Sequence, residues 1–358
     1  YPFTTLQQIA RDILTQAKQG GATACETNVS DGFGQTVTVR QSTVETIEYN
    51  RDKGLSVTVY LGQKRGNAST SDFSPQAIRD TVAAALSIAR YTAEDDCAGL
   101  AEKDRLARDY PQLALYFPWQ LSVEQAIELA KECEQAGFAA DPKITNSEGA
   151  TVSTSESQFI YANSLDFMGG YPISRHSVSC ALIAEHNESK QRDYWYSVAR
   201  DAVDLESAQE IGRKTGLRSA ARLGARKIAT CEVPVIFEAP IASSLIGHFA
   251  SAISGGSLYR KSSFLLDSIG EQVFAPDIQI LDLPYLPKGL GSGPFDEDGV
   301  ATMERKIVEN GIVQGYFLGS YSARKLKMDT TGNAGGAHNL IIQSANTLDV
   351  PALLKKLH

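Results

Sequence analysis

Two stretches of this 358-residue chain repeat one order of structural signals, and that repetition limits the fold more than any single motif. Thr4 to Lys18 carries Leu6, Ile9, Ala10, Ile13, Leu14 and Ala17 at the spacing of one helix face, and Gly20-Gly21 stops it. The period then drops to two. Thr36 to Arg40, Thr43 to Tyr49 and Leu55 to Tyr60 alternate apolar and polar residues as strands do, with Gln41-Ser42 and Asp52-Lys53-Gly54 between them. A second helix follows from Pro75 to near Arg90. The order then returns. Ser122 to Ala136 is a capped helix that Gly137 is expected to end. Strand-like segments occupy Ile144 to Ser147, Ala150 to Ser155, Gln158 to Asn163, Ser177 to Glu185 and Gln191 to Ser197, and Ser207 to Leu223 closes the unit as a helix. Pattern matches here, not residue identity, and it predicts an internal duplication of an α+β unit whose helices cover one face of an antiparallel sheet.

The remaining stretches set the domain plan. Residues 1–95 form the first α+β domain, 96–113 a linker, 114–228 the second α+β domain, and 229–358 a β-rich C-terminal domain. AEDDCAGLAEKDRLARDYPQL (93–113) is charged and weakly patterned, so a solvated connection on the surface is expected. Beyond it, Cys231 to Phe237 reads as a strand leading into Pro240 and a helix. Asp277 to Leu283, Lys306 to Glu309 and Ile312 to Leu318 read as further short strands. Asn310-Gly311 is a strong hairpin signal that should place Val308 and Val313 across a tight turn. The closing PALLKKLH is helix-like.

Charge and composition exclude several roles. A net charge of -8, with basic residues scattered, argues against a nucleic-acid surface. No apolar run approaches the ~18 residues of a membrane helix. The start, YPFTTLQQIARDIL, lacks the charged and apolar regions of a signal peptide, and Tyr1 in place of Met implies that residues precede it. A cytoplasmic location is therefore expected. Cys25, Cys97, Cys133, Cys180 and Cys231 stand far apart with no C-x-x-C pair, as free thiols in a reducing compartment do.

The chemistry centres on PIASSLIGHFASAISGG (240–256). A zinc peptidase helix of the H-E-x-x-H kind places a histidine and a glutamate about one turn before its last histidine; here those places hold Ser243 and Ser244, ahead of His248. Three readings compete. In the first, these are small polar groups bordering a helix that packs through Ile241, Leu245, Phe249 and Ala252. In the second, Ser244 shares a face with His248 and could use it as a base, although nothing in the sequence places an orienting carboxylate or an oxyanion hole. The third is a metal site. The five histidines (His176, His186, His248, His338 and His358) show no pair at ligand spacing, and His186-Asn-Glu188 has no second histidine, so no metal site made by this chain alone is expected.

Two glycine-rich loops stand out: PKGLGSGPFDEDG (287–299), with Asp296, Glu297 and Asp298 at its end, and TTGNAGGAHN (330–339), around His338. Neither clearly opens a helix, as a phosphate cradle requires, and the acidic triplet does not match an EF-hand loop. They read as tight turns between strands, or as glycine-lined edges that let an extended peptide come close.

Three long motifs carry a family resemblance: the 240–256 helix with its continuation SGGSLYRKSSFLLDSIGEQVF, then GSGPFDEDGVATMERKIVENGIVQGYFLGSYSARKL, then GNAGGAHNL. Together they span most of Val233 to Leu340, and they resemble the TldD/PmbA family, once called modulators of DNA gyrase. The resemblance implies a cytoplasmic zinc-dependent peptidase of two related subunits, acting on small or unfolded peptides, including the maturation of peptide antibiotics. The TldD subunit carries H-E-x-x-x-H. Matching its Gly-His to Gly247-His248 puts its first histidine on Ser243 and its glutamate on Ser244, the pattern of the partner subunit, PmbA or TldE. The implied role is a subunit with no catalytic residue, cofactor or metal of its own. Zinc is expected in a TldD-like heterodimer partner, peptides are the expected substrates, and a homodimer is the expected state in isolation. Gly255, Gly256, Gly335, Gly336 and His338 are the candidate peptide-groove or interface residues. The alternatives are a metalloprotease active on its own, with His248 and His338 converging, or a regulatory peptide- or protein-binding module. Family members continue past the position of His358 with a glycine-rich β region, so a truncated C-terminal domain is expected.

Overall fold

A computed structural model describes residues 1–357. The first unit is α1 (Phe3–Gln19), β1 (Ala24–Arg40), β2 (Thr43–Leu61), β3 (Lys64–Thr70) and α2 (Pro75–Tyr91). The second is α3 (Val123–Ala140), β4 (Ile144–Asn163), β5 (Phe167–Gly169), β6 (Pro172–His186), β7 (Ser189–Ala199) and α4 (Ala208–Ala221). Helix, strands, helix occurs twice, as the periodicity predicts. The strands are longer than their patterns: Asp52-Lys53-Gly54 does not break β2, and the three segments between Ile144 and Asn163 are one strand, because pairing with neighbours on both sides carries the backbone through polar positions. The units also share a single antiparallel sheet in the order β3-β2-β1-β4-β6-β7, with β5 paired to β4. Their join is the β1–β4 ladder, which runs from Glu26–Asn163 to Val39–Ala150.

Alternation along β1 decides what each sheet face meets. Cys25, Val29, Val37 and Val39 point to the helical side and are buried there. Val29 packs with Leu6, Ile13 and Val82 under α1 and α2, whereas Val37 and Val39 pack with Ala130, Cys133, Leu182 and Ile211 under α3 and α4. Burying a Leu or Ile side chain contributes about 1.5–3 kcal/mol, so two helix pairs on one face anchor the sheet. Its opposite face carries Glu26, Asn28 and Tyr161 towards the C-terminal unit.

Glycines here act more as contacts than as stops. Gly137 does not end α3, which continues to Ala140. It lies in the crossing with α4, where a Cβ on Gly212 would meet the Cys133 carbonyl oxygen at 1.8 Å and one on Gly216 the Gly137 oxygen at 2.4 Å. The small residues let two backbones touch. The hairpin between β1 and β2 turns through Gln41 and Ser42, both at positive φ (50° and 58°), and a buried carboxylate on α3 holds it: Glu134 accepts the N–H groups of Gln41 at 2.8 Å and Ser42 at 2.7 Å.

The C-terminal unit comprises α5 (Ala239–Ala252), α6 (Gly255–Tyr259), β8 (Ile278–Asp282), β9 (Arg305–Glu309), β10 (Ile312–Val313), α7 (Ser320–Leu326), β11 (Leu340–Ser344) and α8 (Val350–Lys355). A four-stranded sheet, β10-β9-β8-β11, backs a core of Phe249, Ile253, Ile280, Ile307 and Leu318. Asn310-Gly311 forms the expected turn, with φ of 51° and 78°, and Val308 faces Val313. The stretch Cys231–Phe237 is not a strand: no described strand pairs with it, and Val233, Val235 and Phe237 are exposed. Ile312 to Leu318 is a strand only at its first two residues. The connection at 93–113 is not solvated throughout. Ala101, Leu106 and Ala107 are buried, Leu106 bridges to Val300, and the Arg324 guanidinium bonds the Cys97, Gly99 and Leu100 carbonyls, so sparse apolar residues dock an otherwise polar strap. PALLKKL lies within or just after α8, and His358 falls outside the described residues. No described helix is long and apolar enough to cross a membrane.

Candidate functional site

Helix α5 presents its polar residues to solvent. Ser243, Ser244 and His248 are all exposed. The Ser243 hydroxyl donates to the Pro240 carbonyl at 2.8 Å and the Ser244 hydroxyl to the Ile241 carbonyl at 2.7 Å, bonds within their own helix. The His248 side chain makes no hydrogen bond among the described residues. The packing stripe is offset from the expected one: Ile241 and Leu245 are 55% and 45% exposed, while Phe249 is buried and Ile246 and Ala250 lean on the core. Gly255 and Gly256 belong to the packing of α6. A Cβ on Gly255 would meet Ser322 Oγ at 2.2 Å, and one on Gly256 would approach the Arg260 guanidinium at 3.2 Å.

The two glycine loops, by contrast, meet each other. Phe295 seats the first loop on the sheet, edge-on to Phe159, Phe167, Tyr110 and Tyr171 at ring separations of 5.3–6.1 Å. Arg200, almost wholly buried, ties the same loop from below by donating to the Leu290 carbonyl at 2.8 Å. The second loop then crosses it, and Ala334 donates its N–H to Asp296 Oδ2 at 2.9 Å. Between loops and sheet lies a cleft of about 210 Å³ whose walls include Asn28, Tyr171, Glu297, Gly335, Gly336 and His338. Of the sequence candidates, Gly335, Gly336 and His338 thus come together, and Gly255 and Gly256 lie elsewhere.

His338 is held by a fully buried carboxylate. Asp282, at the end of β8, accepts the His338 backbone N–H at 2.8 Å, its Nδ1 at 3.1 Å and an Asn333 amide N–H at 2.9 Å. A carboxylate only accepts, so Nδ1 carries a hydrogen, and Nε2, which bonds no described residue, is left to face a ligand. Gly335 and Gly336, at φ of 94° and 113°, take a backbone course that other residues rarely adopt. Together they offer an oriented imidazole beside bare main chain, which suits hydrogen bonding to an extended chain.

Acidic groups gather behind the cleft. Burial, then neighbouring Asp298, pushes the Asp296 carboxyl up to about 7, against backbone N–H bonds from Ala334, Val300 and Asp298. Glu26, on the facing strand, is likewise pushed up by burial. It accepts the hydroxyls of Tyr161 at 2.8 Å and Tyr60 at 3.0 Å, which favour its charged form. Sequence reading missed Asp282, Asn333 and Glu26. The available signals were slight: a carboxylate closing the apolar run Ile-Gln-Ile-Leu, and a glutamate in a strand on the face away from the helices.

The comparisons agree across the whole chain. Models of the PmbA/TldA metallopeptidase match domain 1 at residues 25–89, the central domain at 116–223 and the C-terminal domain at 230–358. The chain is 44% identical over 352 residues to the Metalloprotease PmbA homolog of Haemophilus influenzae, covering 98% of this chain and 78% of that one. The chain belongs to the PmbA/TldD metallopeptidase family. Metalloprotease PmbA of Escherichia coli is also 44% identical, over 96% of this chain and 76% of its own length. The Metalloprotease TldD homolog of H. influenzae is 24% identical over 80% of this chain and 61% of its own. Among solved structures, a modulator-of-DNA-gyrase protein from Bacteroides thetaiotaomicron superposes with a TM-score of 0.91 at 24% identity, over 98% of this chain and 80% of that one. TldE from Thermococcus kodakarensis does so with a TM-score of 0.77 at 14% identity and the same coverages. These two show the fold.

The metal in the name of the PmbA/TldD family does not fit α5 of this member. A serine hydroxyl bonded to its own helix is a poor zinc ligand, and His248 stands alone. Among the described residues, no three His, Cys, Asp or Glu side chains converge to hold an ion.

Proposed function

We propose that this chain acts in peptide hydrolysis as the subunit without a metal site of its own. It pairs with a zinc-bearing, TldD-like subunit in the cytoplasm and supplies part of the wall of a peptide chamber; alone, it self-associates through the same surface. One observation carries the reading: where a metallopeptidase helix needs a ligand and a carboxylate base, α5 carries Ser243 and Ser244, both bonded back to their own helix. Serine cannot serve as a carboxylate base at either place. Sequence likeness to both PmbA and TldD proteins supports a pairing of related subunits. Within the chamber, His338 Nε2 and the main chain at Gly335 and Gly336 bond an extended peptide, while Gly255 and Gly256 serve packing against α7 and within α6.

Zinc content and peptide cleavage, measured on this chain alone and mixed with a TldD-like subunit, test the proposal. Cleavage only in the mixture, unchanged by His248→Ala and with no zinc on this chain, is expected. Stoichiometric zinc and cleavage by this chain alone, abolished by His248→Ala, would overturn it.

A further inference from the structure

The His338 cleft is acidic: among the described residues no lysine or arginine lines it, and Asp296 and Glu297 do. The two carboxyl groups are not equivalent. Asp296 accepts the N–H groups of Asp298, Val300 and Ala334, and burial favours its neutral form. Glu297 is exposed, and its side chain has no hydrogen-bond or ion-pair partner among the described residues. The close approach of Gly335 fixes where that carboxylate stands, since a Cβ on Gly335 would lie 2.8 Å from Glu297 Oε1. A free negative charge therefore lies against the bare main chain offered to an extended peptide. The same cleft holds two half-buried rings, Phe159 and Tyr171, edge-to-face at 4.8 Å. His338 completes it with a side chain 11% exposed, its Nδ1 taken by Asp282 and its Nε2 without a partner. At about 210 Å³ the space is smaller than the ~300–1,000 Å³ of a small-molecule pocket, so it takes one side chain or one chain end.

We infer that this cleft selects a cationic group on the bound peptide, a lysine or arginine side chain or a free amino terminus, with Glu297 as the residue that sets the preference. The inference deepens the peptide-binding reading above and rests on it. An ammonium group donates to the Glu297 carboxylate while its carbons cover the aromatic rings. An acidic side chain in the same place meets a like charge.

Calorimetric titration of the full chain tests this with alanine pentapeptides, capped at both ends, that carry lysine, norleucine or glutamate at the centre. A further norleucine peptide keeps its amino terminus free. The lysine peptide, the free-amine peptide or both are expected to bind about tenfold more tightly than capped norleucine, with glutamate weakest and salt eroding the difference. A gain for lysine alone assigns the cleft to a side chain, and a gain for the free amine alone assigns it to the chain end. In Glu297→Gln the ratio to capped norleucine should fall to about one, and in Glu297→Lys the glutamate peptide should bind best. Thermal unfolding confirms that both variants fold. Equal binding of all the peptides, or a cationic preference that survives Glu297→Gln, overturns the inference and leaves the peptide cleft standing. No binding of any peptide overturns the cleft as well.

Discussion

Replacing Asp296 by Asn tests whether the carboxyl under the glycine loops is neutral in the folded protein. Its affinity for the proton is raised to about 7 by burial and by Asp298. Between ~4, where the unfolded chain ionises, and ~7 the folded state holds the extra proton, so stability falls as pH rises through that window. Three pH units at 1.36 kcal/mol each set an upper figure of about 4 kcal/mol for the whole decline, and about 3 kcal/mol of it falls between pH 5 and pH 8. Asparagine has the same shape and no proton to lose, so it escapes this decline. It brings a separate penalty: Oδ1 still accepts from Val300 and Asp298, but Nδ2 confronts the Ala334 N–H, a loss of about 1–3 kcal/mol. The variant is therefore the less stable protein at the acid end of the window, and the difference shifts by about 3 kcal/mol in its favour between pH 5 and pH 8, enough to close or reverse the gap. Urea unfolding at the two pH values measures it. A gap constant to within about 0.5 kcal/mol, the ordinary error of such differences, refutes the reasoning.

Gly212→Ala drives a methyl group into the Cys133 carbonyl and should destabilise by about 3 kcal/mol or more, read as a lowered Tm, whereas Ala at Gly224, where no heavy atom lies within 4 Å of the added Cβ but φ is 77°, isolates the backbone penalty of about 1 kcal/mol. Glu134→Gln leaves one of the Gln41 and Ser42 N–H groups facing an amide donor; a loss of about 1–3 kcal/mol is expected, with faster hydrogen exchange at that turn. Gly311→Ala combines a positive φ with a contact of 2.3 Å to the Phe274 oxygen, and its unfolding midpoint should fall by more than that of the Gly224 variant.

Local patterns were legible wherever one element meets one environment. The Leu6 to Ala17 stripe, the Ser122 cap and the Asn310-Gly311 turn each record a single choice between core and water, and each is found in place. What escaped reading depends on partners distant in sequence. Gly137 looks like a helix stop until Gly212 and Gly216 arrive against it. Cys231 to Phe237 has the alternation of a strand, but alternation does not supply a neighbour to bond. The connection at 93–113 looked solvated because its charges dominate its composition, although three small or apolar residues suffice to dock it. At the candidate site, GNAGGAHNL marks His338 and its glycines, yet nothing local says that Asp282, more than fifty residues earlier, orients the ring.

The β1–β4 ladder has a mechanical consequence. Fused along most of two long strands, the duplicated units act as one stiff plate with helices on its back, and neither copy can tilt without shearing that ladder. Compliance is left to the seam where Phe295 rests on aromatic rings and Arg324 grips the strap, a boundary of side chains instead of a continuous sheet. The His338 cleft opens along that seam, so its width is set by how the plate and the C-terminal unit hinge against each other.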